Sequence, residues 1–282
     1  MSDYKGKIVV ITGAANGIGK ELASRFAAQG AKLSLADIDS ENLAKLEKDL
    51  KGKGAEVMAT VLDVSDFNAM QNFAKKTFEK FGSVDYLFNN AGVIAAGTIW
   101  ELPLSDWEWI FGVNVMGVVH GIKAFVPDMM KQDKESCVIN TASLAGMVVG
   151  ENLPVYVASK FAALSLTEVF DIQLQDANSK VRAYAICPGI VQTDLKNCSK
   201  HRPANLTNAN DAYYKTADFK SKEANLQESF NSGITVEKAV DAVFEGIEKG
   251  TFYIMTHPEY NPLISLRVMG ILKGSRPVKF QK

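Results

Sequence analysis

Cysteine is scarce. Cys137, Cys187 and Cys198 are the three in 282 residues, odd in number and without a C-x-x-C pair, which excludes a disulfide scaffold and a zinc knuckle. The three histidines, His120, His201 and His257, stand far apart and no set of three or four spaced ligands gathers around any of them, so the sequence carries no metal-site signature. Net charge is almost absent as well. Basic residues number 31 against 32 acidic, a formal charge of -1, and without a bulk field nothing draws the chain to nucleic acid or an anionic membrane. No run of 18 uninterrupted apolar residues occurs, and the opening MSDYKGKIVV has no basic stretch followed by an apolar one. The expectation is a chain neither exported nor membrane-spanning, working in a reducing cytoplasm. Repeats, low-complexity tracts and Pro/Gly/Ser linkers are missing too, which leaves a single domain across 1–282 as the expectation.

What is there is a regular alternation. Short β-branched runs at 7–12, 31–36, 56–63, 86–89, 136–141 and 181–187 are separated by helical patterns at 18–29, 41–51, 67–81, 107–131 and 155–175. Strands joined by helices of this length need crossover connections, which predicts a parallel sheet covered on both faces, a doubly wound α/β fold. The one shift in composition is a polar stretch at 195–232, expected to be a helical insertion over the site, because long structureless loops are uncommon unless functional. An extension at 256–282 follows the strand-like FYIMT. It is too short in apolar residues to read as a membrane anchor, and a subunit contact is the expectation.

The first strand runs into Thr12-Gly13-Ala14-Ala15-Asn16-Gly17-Ile18-Gly19 and then a helix. Glycines there let backbone N–H groups approach a pyrophosphate, which the helix N-terminus also favours. Asp37 ends the second strand 18 residues after Gly19, where a carboxylate can accept both hydroxyls of an adenosine ribose; taken singly it could equally cap a helix. Further on, Tyr156-Val157-Ala158-Ser159-Lys160 places a phenol and an ammonium four apart on one helix face, an arrangement expected to lower the phenol's pKa. Ser143 lies 13 residues earlier.

Together these segments resemble the short-chain dehydrogenase/reductase family, in order across roughly residues 5–195. The resemblance implies a Rossmann-type sheet and NAD(H) as the cofactor. It matches Gly13, Gly17 and Gly19 to the family's glycine turn, with Asn16 and Ile18 beside them, and Asp37 to the acid that selects NAD over NADP. Asn16 and Ile38 stand where NADP-preferring members usually carry a cation. Asp63 and Val64 match the adenine-contacting segment, Asn90 the Asn-Asn-Ala-Gly motif beside the cofactor, and Pro188, Gly189, Ile190 and Thr193 the segment around the nicotinamide. Tyr156 and Lys160 are matched as cofactor contacts and also as catalytic residues, Tyr156 being the general acid/base. Ser143 is matched as the donor to the substrate oxygen, and Asn114 as the residue holding a water in the proton relay behind Lys160.

The implied reaction interconverts a secondary alcohol and a ketone by hydride transfer, with a small-molecule substrate and a homotetramer or homodimer packed through 107–131 and 155–175. Lining residues are expected among 93–96, the insert, and Leu144, Ala145, Met147, Val148 and Val149. They are mostly apolar, which favours a hydrophobic substrate, steroid-like or aromatic. Trp100, Trp107 and Trp109 read as packing under a loop, and Cys187 as a buried strand-end thiol. A noncatalytic NAD-sensing protein on the same fold is the alternative, disfavoured because such proteins usually lack the tyrosine and lysine. An extended-family epimerase or dehydratase typically has a Gly-x-x-Gly-x-x-Gly turn, which this chain does not match.

Overall fold

The first strand, β1 (Ile8–Thr12), alternates its side chains between two cores, and this sets the layering of the whole molecule. Val9 and Ile11 face one cluster with Leu33, Leu35, Phe88, Ile139 and Ile186; Ile8 and Val10 face the other with Leu87, Val138, Val181 and Ala183. A strand buried on both faces reads as a continuous apolar run, as IVVIT does. The computed structural model describes residues 4–207 and 211–277; residues 208–210 of the polar insert and 278–282 of the tail lie outside the described residues.

After β1 come α1 (Gly17–Ala28), β2 (Lys32–Asp37), α2 (Ser40–Gly52), β3 (Val57–Val61), α3 (Phe67–Phe81) and β4 (Tyr86–Asn89). Then follow α4 (Leu104–Phe111), α5 (Gly117–Lys131), β5 (Ser136–Thr141), α6 (Pro154–Asp176) and β6 (Val181–Cys187). The chain continues through α7 (Ala217–Asn231), α8 (Val236–Lys249), β7 (Tyr253–Met255) and α9 (Asn261–Leu272). The seven strands lie in the order β3-β2-β1-β4-β5-β6-β7, every pair parallel. This is the doubly wound, Rossmann-type sheet that the alternation predicts. Its order reverses between β1 and β4, and in such sheets ligands bind beyond the carboxyl ends of the strands at that reversal.

The stretch expected as one helix over 107–131 is α4 and α5 joined by a π-helical turn, Gly112–Met116. Such turns widen a helix by one residue and free its backbone from the i→i-4 ladder. Its buried side chain is Asn114, so the residue that looks unfavourable in mid-helix is where the α-helical ladder is interrupted. By length and composition 104–131 is also apolar enough to cross a membrane, and half of its most apolar window is buried inside the fold. The insert is helical, as expected: a 3-10 segment Asp194–His201, two shorter 3-10 turns, and α7.

Candidate active site

At the sheet's reversal point β1 turns into α1 with no room to spare. Gly13 has φ +64, and a Cβ on it would meet the Ala91 Cα at 2.7 Å; one on Gly19 would meet the Gly13 carbonyl oxygen at 2.1 Å. Only glycine fits either position. Asn90 fixes the opposite lip, its Nδ2 donating to the carbonyls of Thr12 and Gly13, both at 3.1 Å. The Thr12 hydroxyl in turn accepts from the Asn90 and Ala91 amides. Asn16 sits at the N-cap of α1 but makes no side-chain cap bond, and the first turn holds no acidic residue. The first-turn N–H groups and the positive end of the helix dipole are thereby left to an anion. A dinucleotide's pyrophosphate fits this cradle.

The acid at the end of β2 is held by backbone. Asp37 Oδ2 accepts from the Ala15 amide at 2.8 Å and Oδ1 from the Asp39 amide at 2.9 Å. Burial raises its pKa, against the pull of these bonds. A second carboxylate stands two residues on. Asp39 caps α2 by accepting from the Asn42 amide, and its Oδ2 accepts from Asn42 Nδ2 at 2.7 Å and Asn16 Nδ2 at 3.1 Å. Burial works against ionisation of Asp39, yet these hydrogen bonds take it below the usual carboxylate range. Asp63, at the same end of the cleft, accepts from the Ser65 amide at 2.8 Å, so it both caps its loop and lines the cleft.

At the other end Tyr156 and Lys160 lie on α6, and Ser143 follows β5. The Ser143 hydroxyl donates to the Pro188 carbonyl at 3.2 Å and accepts from the Ala145 amide at 3.1 Å. Lys160 Nζ donates to the Thr141 carbonyl at 2.8 Å and stands 5.7 Å from the centre of the Tyr156 ring. Gly92 lies beside Lys160 and Asn114: a Cβ there would be in ordinary contact with Nζ at 3.6 Å and with Asn114 Oδ1 at 3.5 Å. Asn114 stands behind the lysine, its Oδ1 accepting from the Val93 amide and its Nδ2 donating to the Val93 carbonyl and the Ser159 hydroxyl. Ser159 donates to the Tyr156 carbonyl at 2.7 Å, a link between Asn114 and Tyr156 that the sequence reading missed, although its place three residues after Tyr156 on one helix was a usable signal.

The expected lowering of the phenol's pKa is not what this geometry gives. Burial pushes Tyr156 up to about 12, with a Ser143 hydrogen bond pulling the other way. Burial also brings Lys160 down to about 8. The ammonium is committed to a backbone carbonyl and lies beside the ring, so its Coulomb help is smaller than the desolvation both groups suffer.

One cleft is lined by Gly13, Asn16, Gly17, Ile18, Asp37, Asp63, Val64, Asn90, Ser143, Tyr156, Lys160, Pro188, Gly189 and Thr193. Among the predicted residues Gly19, Asn114 and Ile190 do not line it. Gly19 packs beneath the turn and Asn114 behind the lysine, while Ile190 sits against Gly233 and leaves Val191 to line the wall. The stretch after Ser143 also departs from expectation: Ala145 and Met147 pack into apolar clusters, and Val149 borders a separate shallow groove with Trp100. The apolar wall comes instead from Val93, Trp109, Val113, Leu195, Cys198 and Phe230. Of the tryptophans Trp109 is a buried wall residue beneath Arg202 of the insert and Trp107 stacks on Phe111, while Trp100 is 81% exposed, so packing under a loop fails for Trp100 alone. Cys187 is buried as expected and Cys198 is buried in the wall; burial pushes their thiols up to about 12 and about 11. Neither is poised as a nucleophile.

The insert is pinned over this cleft. Arg202 pairs with buried Asp106 at 2.6 Å, donates to the Ser105 hydroxyl at 3.0 Å and stacks 5.0 Å over Trp109, while the Tyr214 hydroxyl donates to Asp106 at 2.6 Å. None of these partners was legible from spacing, since they meet from positions about a hundred residues apart.

A glycine cradle at the reversal point of a parallel sheet, joined by one cleft to a buried tyrosine, serine and lysine, defines a dinucleotide-dependent oxidoreductase. The chain belongs to the short chain dehydrogenase family, whose pattern matches residues 7–204. It is 40% identical over 277 residues to a "CLA biosynthesis dehydrogenase/reductase" of Lactiplantibacillus plantarum, covering 98% of this chain and 97% of the relative. It is 38% identical over 195 residues to the meso-2,3-butanediol dehydrogenase of Serratia marcescens, covering 69% of this chain and 75% of that one. A short chain dehydrogenase/reductase from Burkholderia phymatum, solved in complex with NAD, superposes with a TM-score of 0.96 at 38% identity, covering the whole of both chains.

Proposed function

We propose that this protein is an NAD(H)-dependent dehydrogenase interconverting a secondary alcohol and a ketone on a hydrophobic substrate. The observation that carries the reading is the single cleft with Asp37 and the glycine cradle at one end and Tyr156, Ser143 and Lys160 at the other. A nicotinamide bound there would supply or accept the hydride. Gly13, Gly17 and the first turn of α1 would hold the pyrophosphate, Asp37 the adenosine ribose, and Pro188, Gly189 and Thr193 the nicotinamide end.

Tyr156 is neutral at pH 7, the form that can protonate a nascent alkoxide. Ser143 turns its hydroxyl from the Pro188 carbonyl to the substrate oxygen and stabilises the charge that grows there. Lys160 refills the proton, and Asn114, tied to Ser159 and the Val93 backbone, keeps the region behind it ordered. Trp109, Val113 and Phe230 favour an apolar substituent on the carbinol carbon. The 40% identical relative, named a dehydrogenase/reductase, supports hydride transfer, and the butanediol dehydrogenase a secondary alcohol. A panel of alcohols and ketones followed by NADH and NADPH absorbance tests the reading; no turnover of any member with either cofactor would count against it.

A pH dependence follows from Lys160. Its pKa, brought down to about 8 by burial, leaves it mostly protonated at pH 7 and mostly neutral by about pH 9. Refilling the tyrosine in ketone reduction needs the protonated amine, so kcat for reduction is expected to fall as pH rises through about 8. Alcohol oxidation needs an acceptor for the proton and is expected to rise over the same interval. Profiles in both directions between about pH 6 and 10 check this, and a flat pair excludes Lys160 from the relay.

We also infer assembly through α5 and α6. Met116 in the π turn, Met130 on α5, and Val169 and Ile172 on α6 are large apolar side chains left 42 to 58% exposed, and burying such a stripe against a symmetry mate is the usual remedy. Solution mass at micromolar concentration is expected to be that of a dimer or tetramer, and a monomer overturns the inference.

A further inference from the structure

The insert reaches the end of the cleft opposite the chemistry. Thr193 packs against Gly17, where a glycine Cβ would lie 3.0 Å from the threonine methyl. From there the 3-10 segment Asp194–His201 runs along the cleft mouth and delivers Lys200 and His201 to the lining shared with Asp37 and Ile38. His201 Nε2 stands 3.3 Å from Asp39 Oδ2. That nitrogen is shielded from solvent and makes no aligned hydrogen bond, so the contact is within ion-pair reach while the ring still has a donor to place. Asp39 is immobilised from its other side by Asn16 and Asn42. Lys200 is engaged by Asp194 at 2.6 Å within the same segment. The residue after His201 is the anchored Arg202.

Resting on the NAD(H) reading above, we propose that His201 is a cofactor-binding residue. Its contact with Asp39 closes the cleft mouth beside the adenosine ribose and holds the dinucleotide in place. The chain Asn16, Asp39, His201 bridges from the glycine turn across the end of β2 to the insert, so a cofactor bound against Asp37 leaves only when His201 parts from Asp39. The contact joins two segments about 160 residues apart in sequence.

The test reads cofactor release directly and needs no substrate. NADH dissociation is measured by stopped-flow fluorescence for wild type, His201→Ala, His201→Gln, Asp39→Asn and the His201→Ala/Asp39→Asn pair. Losing one partly shielded contact of this kind is expected to speed NADH release about fivefold, with little change in association, because affinity differences among variants of one site fall mainly in the off-rate. His201→Gln, which keeps a donor, restores part of the loss, and the double variant is no faster than the worse single one. Melting temperatures of the His201 variants without NADH stay at the wild-type value, which separates a role in holding cofactor from a merely structural one; the Asp39 variants, which also alter the α2 cap, are compared at equal occupancy of folded protein. Unchanged release in His201→Ala, or additive effects in the double variant, overturns the proposal while leaving the NAD(H) reading intact. Wild-type protein that binds no NADH overturns both.

Discussion

Replacing Tyr156 by phenylalanine is expected to lower turnover by about two to four orders of magnitude, the usual worth of a positioned general acid or base, while leaving the fold and NADH binding in place. The ring itself packs with Val93, Ile94, Trp109 and Val155, and phenylalanine preserves those contacts. What is lost is the hydroxyl, hydrogen-bonded with Ser143, and with it the proton for the substrate oxygen. The checks are kcat in both directions, an NADH fluorescence titration and a thermal melt. Turnover near wild type in a folded, NADH-binding variant would remove Tyr156 from the chemistry.

Cofactor choice carries the second large effect. Wild type is expected to prefer NADH over NADPH by at least about 100-fold in kcat/KM, which corresponds to about 2.7 kcal/mol. A 2′-phosphate would bring close to two negative charges toward Asp37, and each unit pair at about 4 Å costs about 1 kcal/mol in water and about 4 kcal/mol at an effective dielectric of 20. Loss of the ribose hydrogen bonds to a charged acceptor adds about 1.5 to 3 kcal/mol. The fold supplies a further obstacle in Asp39, which its amide partners keep ionised. Asp37→Ala with Ile38→Arg is therefore expected to narrow the ratio without reversing it, and adding Asp39→Asn to carry it across. Steady-state kinetics with both cofactors decide. Equal use by wild type, or no shift in either variant, would show that these carboxylates do not set the preference.

The sequence reading reached the sheet, its order of elements and most of the cleft because those features are local. A βα turn declares itself by Gly13, Gly17 and Gly19, and a parallel strand by an apolar run such as IVVIT. It went wrong where two distant effects compete. The tyrosine was expected to feel the lysine four residues on, but the burial that decides its pKa comes from the surrounding wall. The stretch after Ser143 was assigned to the cleft because it follows a site residue, yet Met147 turns into the cluster with Leu164 and Cys187. Ile190 lies beside Gly233 and its neighbour Val191 lines the cleft, a choice between adjacent residues that a motif does not make. The pairing of Arg202 with Asp106 and of His201 with Asp39 has no sequence period at all, since each depends on where the insert comes to rest.

The π turn at Gly112–Met116 works as a phase shifter between two walls. Residues on an α-helix advance about 100° each, with 3.6 to the turn, so one additional residue absorbed within a single turn rotates everything after it by about that angle. Ahead of the turn, α4 directs Trp109 to the cleft and Ile110 into the same cluster. After it, α5 directs Phe125, Val126 and Met129 at α3 and the sheet. A regular helix of the same sequence could satisfy one of these registers and would swing the other toward solvent. The rod thus serves substrate pocket and structural core at once, and deleting one residue there would set the two in conflict along its whole length.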